Sequence, residues 1–280
     1  MSDEQLFLEG MPERLYAAAP ARLATYDDCP RRYRMTYLDD PAPPRGPAFG
    51  HTSVGASVHT ALARWWDVPE ARRTPEAGGR LLVECWLTDG FRDRRQAVDL
   101  RERARAAVER YLADLDPRHV PLMVERTVSA TTGGASLWGR VDRVDDRAGE
   151  VVVVDYKAGR WVPTDEDAAG SLALAVYAAG AARVLRRPVR RVELHHVPSG
   201  TVASWEHTAA SLSALLGGAD TTARALRDLD ERRPDLSEAE ADAAFPALVA
   251  PRCGWCEVRS SCAPGRSVPP RRPWDALPTP

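Results

Sequence analysis

The chain has 280 residues, with 38 basic against 40 acidic, a net charge of −2 and a mean hydropathy of −0.37. No apolar run approaches the ~20 residues that a membrane span needs, and the charge balance excludes a globally basic nucleic-acid binder, so any DNA contact must be a local patch. Residues 1–20 begin acidic and lack an unbroken apolar stretch, so neither a secretory signal nor a membrane contact is expected and a cytoplasmic location is.

Five cysteines are too few for a disulfide framework. The chain has no Ile, so strands must be built from Val and Leu. Its single Lys, Lys157, stands against 37 Arg.

In chain order, a helix is expected from about Arg22 to Tyr37, then a Pro-rich loop from Pro41 to Pro47. Val54, Val58, Leu62 and Trp65 recur at helical spacing and predict a helix over about 52–67. Further helices are expected over about 76–89 and 94–115. The pattern then turns to period two, and PLMVERTVSA, ASLWGRVDRVDD and GEVVVVDYKAG read as three consecutive strands. An Ala/Leu-rich helix (about 166–186), strands near 190–197 and 201–207, and helices over about 208–229 and 237–248 follow. This order predicts one α/β domain over 1–262, with a helical lobe (about 50–118), a core (about 119–210), and C-terminal helices with a cysteine segment (about 208–262). The Pro/Arg-rich tail, 263–280, is expected to be flexible.

The main chemical signal lies in GRVDRVDDRAGEVVVVDYKAG. If Ala148-Gly149 is a two-residue hairpin turn, Asp142 opposes Asp155, with Cβ atoms about 4.5–5.5 Å apart. Asp155 and Lys157 share one strand face, about 6.6 Å apart along the strand. Two carboxylates so close repel each other, and a divalent cation removes the conflict; hard oxygen ligands suit Mg²⁺ or Mn²⁺. Such an ion beside Lys157 fits phosphodiester hydrolysis. An isolated Asp-x-Lys is more often a solvated hairpin, but the apolar VVVV run before Asp155 and the lone Lys favour a site.

His59 lies beside the apolar stripe of its helix, one turn after Gly55. Cys253, Cys256 and Cys262 crowd into ten residues, a pattern that reads as metal or cluster ligation. Cys29 is the candidate fourth ligand, and Cys85, inside LLVECWL, a core residue. Four thiolates fit an iron–sulfur cluster or a structural Zn²⁺.

These pieces in order, TYDDCPRRYR, GASVHTAL, GRVDRVDD, VVDYKAG and CGWCEVRSSC, resemble the RecB-family PD-(D/E)XK nucleases, in the subgroup with a four-cysteine [4Fe-4S] cluster that includes AddB-type and CRISPR-adaptation nucleases. The resemblance runs from about Leu23 to Cys262. It implies a restriction-endonuclease-like mixed sheet flanked by helices, with an Fe–S staple joining the N- and C-terminal segments. It also implies a deoxyribonuclease acting on single-stranded or frayed ends in repair, recombination or defence against foreign DNA. His59, Asp142, Asp155 and the Tyr156 carbonyl would bind the metal, and Lys157 would be the catalytic lysine beside Asp142 and Asp155. Glu125 could support the site, although an outward charge on a half-buried strand is the simpler reading. Related nucleases carry Gln four residues before a Tyr in the following helix; here Tyr177 is present and Ala173 replaces the Gln.

Arg31, Arg32 and Arg34, with Tyr177, are candidate DNA-backbone contacts, as are the patches Arg92, Arg94 and Arg95 and Arg186, Arg187, Arg190 and Arg191. Trp161 could stack on an unpaired base. No G-x-x-x-x-G-K-[ST] occurs, so unwinding would need a helicase partner or a CRISPR-type subunit. The competing readings are a catalytically silent cluster-bearing DNA-binding scaffold and a zinc-stapled protein with an incidental hairpin.

Overall fold

The computed structural model describes residues 15–277, so the expectation for the N-terminal stretch falls largely outside the described residues. Six strands form one mixed sheet: β1 (Tyr16–Ala18), β2 (Met123–Thr131), β3 (Ala135–Arg147), β4 (Glu150–Lys157), β5 (Arg191–His196) and β6 (Thr201–Glu206). The order is β1-β3-β4-β5-β6, and β2 pairs with the other edge of β3. This is the expected α/β architecture. The three-residue β1, too short to leave a periodic signal, is the one strand that the sequence did not announce.

Helices α3 (Gly50–Asp67), α4 (Pro75–Glu84) and α5 (Arg94–Ala113) cover one sheet face. Val58, Leu62, Trp65, Val108 and Leu112 pack there against Val152, Val154 and Tyr156. The other face packs on α7 (Leu172–Leu185) through Leu174, Ala178 and Ala181, with Val151, Val153 and Val192 from the sheet. Such burial, at roughly 25 cal/mol per Å² of apolar surface, makes the two layers the main source of stability. Two N-terminal helices, α1 (Pro20–Asp28) and α2 (Pro30–Tyr37), meet α8 (Ala209–Arg232) around Tyr33, Leu226 and Phe245. A short α6 (Asp165–Gly170) and α9 (Glu238–Ala244) complete the helices.

Two expected helices are broken. Pro30 pushes Cys29 out of the α region, to φ −167° and ψ 106°, so the segment from Arg22 to Tyr37 divides at that cysteine. Ser171 divides the Ala/Leu-rich helix and caps α7 by accepting from the Leu174 N–H at 3.3 Å. The tail also departs from expectation. Through residue 277 it is packed, since the Gly50 N–H donates to the Pro273 carbonyl (3.1 Å), the Arg271 N–H donates to the Gly254 carbonyl (2.8 Å), and Leu277 is buried.

No helix among the described residues is long and apolar enough to cross a membrane.

Candidate active site

The β3–β4 hairpin has the expected register: Arg147 pairs with Glu150, and the ladder runs to Arg143 and Val154. Ala148 and Gly149 both take positive φ, 52° and 94°, as a two-residue turn of the primed kind requires. One step beyond the last pair, Asp142 and Asp155 stand across from each other where the strands part. The Asp142 side chain enters that parting, and its Oδ2 accepts the Tyr156 backbone N–H at 2.7 Å.

On the far edge of β3 the pairing with β2 is also interrupted in the same row. Val124 pairs with Arg143 and Arg126 with Val141, which sets Glu125 across from Asp142, while Glu125 itself has φ 49° and makes no ladder pair. Val141 and Val144, three residues apart, lie in the same core layer, so the in-out alternation of β3 breaks around Asp142. Three carboxylates therefore line up across three strands at the one row where the sheet is irregular.

His59 reaches this row from α3, with Nδ1 3.1 Å from Asp142 Oδ1. The ring of His59 stands edge-on to Tyr156, with centroids 5.9 Å apart. One ligand atom from each of His59, Glu125 and Asp142 lies within 4.8 Å of the others, a spacing that could hold a metal ion. Asp155 is outside that group and is paired with Lys157, whose Nζ is 2.7 Å from Oδ2. Tyr156 contributes its N–H to Asp142. Glu125 also pairs with Arg140.

The electrostatics favour a cation. Burial and then Asp142 raise the Asp155 carboxyl above the usual range, against the pull of Lys157. Burial and Asp142 do the same to Glu125. For His59, burial would lower the imidazole, but Asp142, Asp155 and Glu125 outweigh it and the net direction is up. Tyr177, on α7, lies over β3 at Gly139, where an added Cβ would come 2.5 Å from the ring. Burial and then the three carboxylates push its phenol up to about 12, so it keeps its proton and can donate. Two carboxylates and an imidazole suit Mg²⁺ or Mn²⁺.

The expected arginine contacts on α2 are corrected. Arg31 is buried, donating to the carbonyls of Phe245 and Asp242, both at 2.9 Å, and pairing with the Asp242 carboxylate. Arg34 is buried among Asp39, Glu238 and Asp242. Arg32 is held by Glu257. These guanidinium groups tie α2 to the C-terminal segment and are not free for phosphate.

Cys29, Cys253, Cys256 and Cys262 line one small cavity, with Met35 and Val258 packed beside it. No three of the four sulfurs lie within 4.8 Å of one another, so no closed four-cysteine ligand set is formed. Burial raises the Cys256 thiol. Cys85 sits at the end of α4, half-buried against the helical core, its thiol directed at the Ser57 carbonyl.

No curated protein matches this sequence significantly. The family model of the PD-(D/E)XK nuclease superfamily matches residues 17–263, taking in β2 to β6, all of β1 but its first residue, and both halves of the carboxylate hairpin, and the chain belongs to that superfamily.

Proposed function

We propose that the protein is a divalent-metal-dependent deoxyribonuclease, acting as an exonuclease on single-stranded or frayed DNA ends in repair, recombination or defence. The observation that carries this reading is the row Glu125, Asp142, Asp155, with His59 and Lys157 beside it. His59, Glu125 and Asp142 would hold Mg²⁺ or Mn²⁺, which supplies Lewis-acid polarisation of the scissile phosphate and activation of water. Asp155 fixes the Lys157 ammonium, which is 42% exposed and so reaches the face where negative charge develops on the phosphate. The Tyr177 hydroxyl donates to a non-bridging oxygen and takes over part of the positioning that Ala173, in place of Gln, cannot perform.

The four cysteines are the second part of the proposal: they hold a [4Fe-4S] cluster that staples Cys29 to the C-terminal segment. What supports a metal centre here is that all four cysteines line one cavity, and four thiolates suit an iron–sulfur cluster or a zinc ion. Protein purified without oxygen is expected to be brown and to lose colour in Cys256→Ser; a colourless, zinc-loaded protein would reverse this assignment. A helicase or a CRISPR-type subunit would supply the unwinding.

Cleavage of end-labelled single-stranded, duplex and circular DNA with Mg²⁺ or Mn²⁺ tests the activity. Metal-dependent degradation of linear DNA is expected, with loss in Lys157→Ala and Asp155→Ala and protection of circles. Wild-type protein that binds DNA but cuts none of these substrates would favour the scaffold reading.

A further inference from the structure

A groove of about 820 Å³ lies between α3, α5 and the loop after β4, lined by no residue of the carboxylate row, and the proposed nuclease chemistry makes no use of it. Its floor is apolar, built from α3, α5 and the end of β4, and residues 276 and 277 of the tail close one side. Val58 of the floor precedes His59 in the chain, and Ala158 follows Lys157. The chain thus passes from groove to site at two places, while the hollow that holds His59, Glu125 and Asp142 shares no lining residue with the groove.

Its charge sets it apart from the hollow at the carboxylate row, which Asp67, Glu125 and Asp142 line. Arg103, Arg110 and Arg160 line the groove, and no Asp or Glu does, in a chain whose acids outnumber its bases. Arg103 and Arg160 make no ion pair or hydrogen bond among the described residues, and Arg110 makes only a 3.3 Å bond to the Pro198 carbonyl. Trp161 stands on the rim, 59% exposed. The loop carrying Arg160 and Trp161 is fixed at its base, because His196 Nε2 donates to the Gly159 carbonyl at 2.7 Å and the Val197 N–H donates to the Lys157 carbonyl at 2.9 Å. From Lys157 to Trp161 the chain reaches at most about 14 Å.

We infer that this groove holds the unpaired strand of a DNA end, its bases stacked on Trp161 and the apolar floor and its phosphates on Arg103, Arg110 and Arg160. Apolar faces with free guanidinium groups at the rim match a single strand, whose bases are exposed for stacking while its backbone is anionic. A duplex hides its bases and gains nothing from the floor. A partner protein's apolar helix would fit the floor but leave three cations without counter-charge. This inference rests on the reading of DNA as the substrate.

The test is fluorescence anisotropy of labelled oligothymidylate and of a blunt hairpin duplex without added divalent metal, at several salt concentrations. Trp161→Ala is expected to weaken single-strand binding about tenfold with an unchanged salt slope, from the loss of one stacked base. Arg103→Gln with Arg160→Gln is expected to weaken it and to reduce the slope by about 0.7 for each charge removed. Duplex binding should not change in any variant, and melting curves confirm that each is folded. Wild-type single-strand affinity in both folded variants would overturn the inference and leave the groove to a protein partner; equal losses on both DNA forms would reduce it to a general basic surface. Binding is read apart from cleavage, so the two proposals fail separately. A wild type that holds single strands here and cuts nothing keeps the groove and loses the nuclease, and one that cuts normally while the variants bind normally does the reverse.

Discussion

The β3–β4 hairpin carries two polar clusters, and they differ in how fully their charges are answered. In one, Arg143 pairs with Asp145 at 3.1 Å, Arg147 grips Glu193 through two bonds of 2.9 and 3.0 Å, and His195 bridges Glu193 and Tyr111 at 2.7 Å each. Arg147 and His119 add second and third contacts to Asp145, at 3.2 and 3.0 Å. In the other, Glu125, Asp142 and Asp155 gather around His59, with Lys157 and Arg140 each engaged by one carboxylate. The first is a balanced structural network. The second carries more negative charge than its surroundings compensate, as the raised carboxyl groups of Asp155 and Glu125 register, and that shortfall marks a cation site.

The largest difference is expected in metal binding. Replacing a residue that only hydrogen-bonds to a metal ligand typically costs about 10–100-fold in metal affinity, and removing a ligand costs more. Asp142→Ala should therefore weaken Mn²⁺ binding at least about a hundredfold by calorimetry, while Asp145→Asn, three residues along the same strand, should leave it unchanged. Equal losses in the two would erase the distinction between the clusters.

Stability should respond in the opposite sense. Arg143 and Asp145 are both almost completely buried, so Arg143→Ala removes the one deeply buried counter-charge of Asp145 and leaves it the partly exposed Arg147 and His119, at a cost of about 3 kcal/mol. Urea unfolding measures this directly. Cleavage per folded molecule should be retained, since the groups of the carboxylate row keep their places.

Acid separates the clusters by the sign of their slopes. The His195 and Arg147 partners outweigh burial and hold Glu193 at about 2, below the unfolded value of about 4.3. Its contribution is therefore complete above about pH 4.3 and is lost as pH falls toward 2. Glu193→Gln should flatten the acid limb of the stability curve. Asp155 is shifted up, so its ionisation opposes folding at neutral pH and the penalty is relieved on acidification. Asp155→Asn should raise the melting temperature of the metal-free protein at pH 7 while abolishing cleavage.

Much of the site was legible because hairpin register is arithmetic. A two-residue turn at Ala148-Gly149 fixes which residues face each other, and the observed pairs follow it to Arg143 and Val154. The same reasoning applied to a two-residue turn at Gly133-Gly134 sets Thr132 against Ala135 and Thr131 against Ser136, and hence Glu125 against Asp142, a signal present in the sequence, where Glu125 reads as a support of the site second to an outward charge. What defeats pattern reading at Glu125 is the broken alternation, since a residue at positive φ leaves the period-two rule. The arginines of α2 failed for another reason. Their partners, Asp242 and Phe245, lie some two hundred residues away, and in a chain with one Lys a buried Arg looks like any surface Arg. The packing of the tail was hidden in the same way, because its partners at Gly50 and Gly254 have no sequence relation to it.

The smallest expected effect tests whether the two clusters share one foundation. Ala148 is a residue with a Cβ held at φ 52°, a conformation that costs about 1–2 kcal/mol and that Asn tolerates better. Ala148→Asn should therefore recover about 1 kcal/mol, a rise in melting temperature of about 2–4 °C for a chain of this size. Because the turn sets the register for the whole hairpin, the gain should appear equally with and without Mn²⁺ and leave metal affinity unchanged. A stabilised variant with altered Mn²⁺ affinity would mean that the turn is not neutral toward the carboxylate row, and that the parting of β3 from β4 at Asp142 is set by strain carried from the turn rather than by the side chain lodged between the strands.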